Sequence, residues 1–387
     1  MKKVAIITYH ASHNNGSFLQ AYALQEFISS LDGYTCEIIN FRQPEQQKMY
    51  SIFEEQITLK GTLKNLFILL HYKDIKKRYD TFELLMQTRL QLSENCYHKV
   101  EELTDVEKQY DLFISGSDQI WNAITIDFSD AYLLSFVTNK PKISYAASLG
   151  GRLEFLENTD VCNQMKELLQ QYSALSVREN IAKKFIQELT DKQVVTSLDP
   201  TLLLDPEKYD TLCAPRLVEG DYIFFYYIEY IPEAIETVAA FSAMTGLPVV
   251  VAYSGLYLNI VRTRKYGFKI FYDAGPDAFL SLIKYAKYVL SNSFHGVVFS
   301  IIMKKQFYAV RSLYNGEYRD DDRLDTLLEK LGLEERQLKK EMLSKDFQLS
   351  NIDYSLVDRK LEEEKQRSKA YLNRALAIES TEKKHDL

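Results

Sequence analysis

Short apolar runs alternate with amphipathic stretches along most of this 387-residue chain. Residues 4–8 (VAIIT) read as a buried strand, 19–30 as an amphipathic helix and 36–41 as a second strand. Between about 45 and 105, Lys, Gln, Leu and Tyr recur at helical spacing, which predicts a helical insertion. Strand-like runs return at 111–115, 142–147, 174–177 and 194–197, with a helix over 180–189. The polar stretch 205–220 holds Pro206 and Pro215 and reads as a linker. A second alternating unit follows, with strands at 222–228, 248–253, 288–290 and 306–310. Its helices are expected over 232–245, 275–285 and 323–331, and a charged helix over 357–378 precedes the C-terminus.

Strands that alternate with helices imply parallel sheets covered on both faces. The expected fold is therefore α/β, with two doubly wound Rossmann-like domains in a GT-B-like arrangement. The boundaries follow the pattern: 1–205 for the first domain, 206–350 for the second, and 351–387 for a C-terminal helix and tail. Two such domains leave a ligand cleft between them, outside the carboxyl ends of their strands.

Composition narrows the partners. Apolar residues make up 46% and aromatics 13%, enough for substantial cores. The net charge of −7 argues against a nucleic-acid binder but leaves room for a locally positive site for a small anion. The N-terminal run MKKVAIITYH turns polar too soon for a signal peptide, and no stretch reaches the ~18–20 apolar residues of a membrane span. Cys36, Cys96, Cys162 and Cys213 are widely spaced, which disfavours a disulfide framework or a zinc site and suits a cytoplasmic protein. No histidine pair has a metal-binding spacing.

The segment 288–307, YVLSNSFHGVVFSIIMKKQF, concentrates the chemistry. A strand runs into the loop Ser293-Phe294-His295-Gly296, and an apolar helix starts directly after it. Such a junction aims free N–H groups and a helix dipole at one spot, beside a residue that titrates near neutral pH. A bound anion would favour the protonated imidazole, fit to hold a phosphate or release a proton. A packed, satisfied histidine fits the same context. His10 and His13 follow the first strand, and Asn15, Gly16 and Ser17 open the first helix. A substrate role and a plain loop role both fit these positions. The run Ser117-Asp118-Gln119 with Trp121 follows another strand and offers hydroxyl, carboxylate, amide and indole groups of the kind that recognise sugars. Arg178 ends a strand and can bind a carboxylate or phosphate, or pair with Glu179. Arg311, Arg319 and Arg323 follow the last strand and add positive charge, while Asp320-Asp321-Asp322 reads as a solvated loop. Lys73, Lys76, Lys77 and Arg78 form a basic cluster on a solvated helix face, with peripheral membrane contact as the other reading.

Taken in order, NNGSFLQAYALQ, YDLFISGSDQIWN, ISYAASLG, SVREN, LDPTLLL, GPDAFLSLIKYAKYVLSNSFHGVVFSIIMKKQF and RLDTLLEKLGL resemble the polysaccharide pyruvyl transferase family. The resemblance runs from about residue 4 to 333 and skips the insertion and the tail. It implies a GT-B-like fold and transfer of a pyruvyl group from phosphoenolpyruvate to two hydroxyls of a hexose, such as galactose, as a cyclic ketal. The acceptor it implies is a polysaccharide or lipid-linked oligosaccharide precursor, handled in the cytoplasm or at the inner face of its membrane. It implies neither a metal nor an organic cofactor. The family's phosphoenolpyruvate-binding histidine carries over onto His295 and its SVRE arginine onto Arg178. The arginine of its R-L-H motif falls on Ser293, in an S-F-H-G variant, which leaves open the group that replaces it, with Arg311 and Arg323 as candidates. By this reading Arg178, Ser293, Phe294, His295, Gly296, Arg311 and Arg323 hold phosphoenolpyruvate. The acceptor side comprises His10, Asn15, Gly16, Ser117, Asp118, Gln119 and Trp121. A nucleotide-sugar glycosyltransferase and a non-catalytic binding protein of the same fold are the alternatives.

Overall fold

The computed structural model describes residues 1–55, 58–151, 153–229, 231–253, 263–311, 313–314, 317–318, 321–344 and 347–379. The first half builds a parallel sheet from β1 (Lys2–Ile7), β2 (Tyr34–Phe41), β3 (Leu92–Tyr97), β4 (Leu112–Ser115) and β5 (Lys142–Ser144), in the order β3-β2-β1-β4-β5. A parallel pair, β6 (Leu175–Val177) and β7 (Val194–Thr196), continues it beyond β5 through bridges from Ile143 to Ala174 and from Ala147 to Val177. In the second half, β8 (Ile223–Tyr226), β9 (Val249–Ala252), β10 (Lys269–Phe271), β11 (Tyr288–Ser291), β12 (Gln306–Val310) and β13 (Gln337–Leu338) lie in the order β10-β9-β8-β11-β12-β13. Both halves thus wind outward in opposite directions from their first strand. Each has its switch point between its first and fourth strands, where α/β sheets bind ligands.

The strands form because their sequences suit burial on both faces. IFFY in β8 and VVVA in β9 are buried throughout, as a parallel sheet covered by helices requires. The helices that cover them include α1 (Asn15–Ser29), capped by the Asn14 side chain, which accepts from the Gly16 and Ser17 amides. Next come α2 (Pro44–Met49), α3 (Leu59–Leu70), α4 (Tyr72–Arg89), α5 (Thr159–Leu169) and α6 (Asn180–Leu189). The rest are α7 (Pro206–Asp210), α8 (Pro232–Thr245), α9 (Pro276–Lys284), α10 (Phe294–Ile302), α11 (Asp322–Leu331) and α12 (Tyr354–Leu376). One apolar cluster joins Val4 and Ile6 of β1 to Phe224 of β8, Phe299 of α10 and Leu372 of α12, so the two halves share a core.

Two expectations change, and the expected C-terminal helix, at Tyr354–Leu376, gains a place in the fold. The helices expected over 45–105 end at Arg89, and Leu92–Tyr97 is the edge strand β3, with α4 as the crossover that a parallel pair needs. The linker expected at 205–220 contains α7, whose Tyr209 is fully buried. The C-terminal helix is packed: α12 crosses back to the first half, where Tyr371 donates to Ser144 O (2.8 Å) and Ser368 Oγ accepts from Leu198 N (3.0 Å). Among the described residues no helix is long and apolar enough to cross a membrane.

Candidate active site

Strand β11 ends at Ser291, and Ser293 starts α10 with extended backbone but without a side-chain cap. Ser291 Oγ accepts from Ser293 N (3.0 Å) and lies where a Cβ on Gly296 would fall, 2.2 Å away. Glycine at 296 therefore lets the first turn of α10 sit against the strand. The amides of Phe294, His295 and Gly296 have no acceptor among the described residues, so an uncapped helix N-terminus faces the cleft.

His295 is buried to 7% exposure, and its Nε2 lies 3.4 Å from Asp199 Oδ2. Asp199 follows β7 and opens the turn Pro200–Leu202, where its Oδ1 accepts from Thr201 N (3.0 Å) and Thr201 Oγ1 (2.6 Å). Its other oxygen also faces Arg178 Nη2 at 3.3 Å. Neither Asp199 Oδ2 nor His295 Nε2 makes an aligned hydrogen bond, so Arg178 meets Asp199 as an ion pair and His295 does so only when protonated. Burial alone would raise the Asp199 carboxyl, but Arg178 and His295 outweigh it and hold the group well below the usual carboxylate range. Arg178 Nη2 also donates to Ser117 Oγ (3.0 Å), its guanidinium lies 4.7 Å from the Phe294 ring centroid, and its Nε and Nη1 are buried without acceptors.

The first half closes on this group from the other side. A Cβ on Gly16 would lie 2.1 Å from His295 Nδ1, so the start of α1 passes directly along the imidazole. Ser17 Oγ donates to Asp118 Oδ2 (2.6 Å), which ties α1 to the loop after β4. Asp118 has φ 75, a left-handed conformation that non-glycine residues adopt mainly where surrounding structure imposes it. The loops after β1, β4, β7 and β11 thus meet around one imidazole. Three adjoining cavities run along this line. That at His295, about 290 Å³, is lined also by Ser293, Phe294, Asp118, Gln119 and Arg323. A second of about 290 Å³ shares Gln119 and Arg323 with it and adds Arg311. The third, about 320 Å³, shares Asn14, Met49 and Tyr50 with the first and adds Arg78.

A family model of polysaccharide pyruvyl transferases matches residues 14–313, which include Gly16, Asp118, Arg178, Asp199 and His295. The chain belongs to the polysaccharide pyruvyl transferase family. The UDP-GlcNAc 2-epimerase of Neisseria meningitidis, solved with UDP-GlcNAc, is similar in fold: TM-score 0.51 at 10% identity, covering 98% of this chain and 95% of that one. Anabaena Alr3699/HepE, solved with UDP and glucose, matches with TM-score 0.51 at 10% identity over 97% and 100% of the two chains. At such identity the likeness is one of fold, the two Rossmann-like domains of GT-B-type proteins. No curated protein matches the chain in sequence.

In this member of the family, the structure gathers most but not all of the expected site residues. His295, Ser293, Phe294, Asp118, Gln119 and Arg323 share one cavity, and Arg178, Ser117, Gly16 and Gly296 pack behind it. Arg178 faces Asp199 and Asp118 as its nearest carboxylates. Arg323 is clamped by Asp321 through two hydrogen bonds of 2.8 and 2.6 Å, and Arg311 is held by Asp325 and by Gln337 Oε1 (3.0 Å). Asn15 lines the third cavity. Arg319 and Asp320 lie outside the described residues.

Two acceptor residues are corrected. Trp121 is wholly buried, edge-on to Tyr172, with Nε1 donating to Ser115 Oγ (2.9 Å), so it fills a core instead of meeting a sugar. His10 is also wholly buried, bonded to Asn40 Oδ1 (3.2 Å); burial and nearby Arg42 push it down to about 4, which leaves a neutral packing residue. A third correction concerns the basic cluster on α4: Lys73, Lys76 and Lys77 are exposed, but Arg78 points inward.

Asp199 and Glu179 were not among the expected site residues. Glu179 is buried, with Oε1 accepting from Leu149 N (2.8 Å) and Ser148 Oγ (3.0 Å). Burial pushes its carboxyl up to about 7 against the pull of Arg178 and Arg323. The folded chain therefore keeps a proton that an unfolded glutamate releases near pH ~4.3. Stability from this group is greatest below that pH and falls as pH rises through about 7, by about 4 kcal/mol in all. Glu179→Gln should raise Tm at pH ~8 and change it little at pH ~4. Melting curves across pH check this, and an equal shift at both ends would refute it.

Proposed function

We propose that this protein moves the pyruvyl group of phosphoenolpyruvate onto two hydroxyls of a hexose in a polysaccharide or lipid-linked precursor, forming a cyclic ketal and releasing phosphate. The observation that carries this reading is the placement of His295, backed by Asp199 and Arg178, at the uncapped N-terminus of α10. That arrangement combines a proton donor with an anion-binding dipole in one cavity, as an enol phosphate requires.

The geometry supports the following steps. Asp199 occupies the Nε2 side of the imidazole, which leaves Nδ1, the nitrogen beside Gly16, to exchange a proton with the ligand. A protonated His295 gives that proton to the methylene carbon, the C=C bond is consumed, and positive charge develops at the carbon bearing the phosphate. One sugar hydroxyl attacks this carbon and loses its proton. The C–O bond to phosphate then breaks with its electron pair on oxygen, the phosphate takes up the proton released by the first hydroxyl, and the departing dianion is stabilised by the α10 amides. The second hydroxyl adds to the same carbon, its proton returns to His295, and the ketal closes. Preorganised positive charge supplies much of the acceleration.

Arg323 is our choice for the charge missing at Ser293, because it lines the same cavity as Ser293 and His295, whereas Arg311 lines the neighbouring one. The second half then serves phosphoenolpyruvate, while Asp118 and Gln119 of the first half orient the acceptor. Leu63, Leu66, Leu69 and Leu70 lie exposed on α3 and support peripheral contact with the cytoplasmic face of a membrane that holds a lipid-linked acceptor. The test supplies a galactose-containing acceptor with phosphoenolpyruvate or with sugar nucleotides. Phosphate release and an acceptor mass raised by one pyruvate ketal are expected with the former alone. Sugar transfer from a nucleotide would overturn the proposal.

A further inference from the structure

Helix α4 buries the stripe Ile75, Arg78, Phe82 and Met86, in which a guanidinium takes the place of an apolar side chain. Arg78 is only 9% exposed. Its Nη2 donates to His13 O (2.7 Å), its guanidinium stacks 4.8 Å from the Phe82 centroid, and its Nε is buried with no acceptor. Arg178, Arg311 and Arg323 each face an aspartate. Arg78 has no carboxylate partner among the described residues, and burial pulls its guanidinium below the usual value. A buried cation without an anion is strongly unfavourable, so a site that keeps one is built to receive a charge from outside.

The cavity beside Arg78 fits that purpose. Its volume is about 320 Å³, and among the described residues no Asp or Glu lines it, although the chain as a whole carries −7. Tyr50, Tyr79, Tyr226 and Tyr253 line its walls, offering ring faces and hydroxyls of the kind that hold a sugar. It adjoins the His295 cavity, with which it shares Asn14, Met49 and Tyr50, but it contains neither Ser293 nor Arg323. We propose that this pocket is an anion subsite for the acceptor, in which Arg78 binds a phosphate or carboxylate on the sugar chain to be pyruvylated and the tyrosines hold the adjoining ring. This rests on the pyruvyl-transfer reading and adds to it that the acceptor is itself an acidic saccharide.

Calorimetry on the full chain tests the subsite with glucose 1-phosphate, glucuronate and glucose as probes, each with and without phosphoenolpyruvate. At least one charged sugar should bind about tenfold or more tighter than glucose, and the better of the two identifies phosphate or carboxylate as the group read. Binding should persist with phosphoenolpyruvate at saturation. Arg78→Met should remove the advantage over glucose, leave phosphoenolpyruvate affinity within about threefold and melt no lower than wild type, because it removes an unpaired buried charge. Equal wild-type affinity for charged and neutral sugars would overturn the proposal without any variant. So would charged-sugar binding that survives Arg78→Met, or that phosphoenolpyruvate displaces. If phosphoenolpyruvate binds to no form of the protein while the Arg78-dependent preference stands, the pyruvyl-transfer reading fails and the anion subsite remains.

Discussion

His295→Asn should lower phosphate release from phosphoenolpyruvate by about 10²–10⁴-fold, the usual loss when a positioned general acid is removed. Asparagine is close to imidazole in size and polarity, so α10 should still form and Tm should move little. The loss should fall mainly on kcat, because the α10 amides, Arg178 and Arg323 still attract the anion. Asp199→Asn provides the companion measurement. It leaves the Thr201 contacts possible but removes the charge that Arg178 and His295 share, so it should lower both kcat and Tm. Steady-state assays on both variants, with melting curves alongside, separate the roles. Near-normal turnover in His295→Asn would sink the assignment of this residue as the acid.

The loops of the site divide what a sequence can reveal from what it cannot. Strands such as IFFY and VVVA announce burial on both faces, so parallel sheets, their order of appearance and the loops at their carboxyl ends follow from pattern alone. That is why His295, Gly16, Arg178 and Asp118 could be picked out: each follows a strand, and doubly wound sheets gather those loops in space. Which way a side chain turns within a loop is not periodic, and there the reading goes wrong. Trp121 and His10 lie in the right loops but point into cores, where Trp121 finds Ser115 Oγ and His10 finds Asn40. Asp199 was visible as an Asp-Pro-Thr turn after a strand, yet its partners are 21 and 96 residues away in sequence, at Arg178 and His295. Arg78 did carry a signal. In YKDIKKRYDTFELLM it occupies the inward register of Ile75, Phe82 and Met86, and a lone arginine in such a stripe marks a buried charge that needs a reason.

Gly16→Ala should lower pyruvyl transfer by about 10²-fold or more, although alanine is the better helix former by roughly 1 kcal/mol. The added Cβ would stand 2.1 Å from His295 Nδ1 and 2.5 Å from its Cγ, far inside contact distance. Either the imidazole swings off Asp199 or the start of α1 lifts away, which also strains the Ser17–Asp118 bond that joins α1 to the loop after β4. Each outcome moves the proton donor relative to the cleft, and displacements near 1 Å are enough for such a loss. The variant separates close packing from mere flexibility at position 16. If steric conflict is the cause, Gly16→Ala combined with His295→Ala should melt higher than Gly16→Ala combined with wild-type His295, because the second substitution vacates the space that the new methyl needs. If Gly16 matters only for backbone freedom, removing the imidazole restores nothing. Full activity in Gly16→Ala would show that the α1 N-terminus and the imidazole are not held together during turnover, and the proposed proton route through Nδ1 would fall with it.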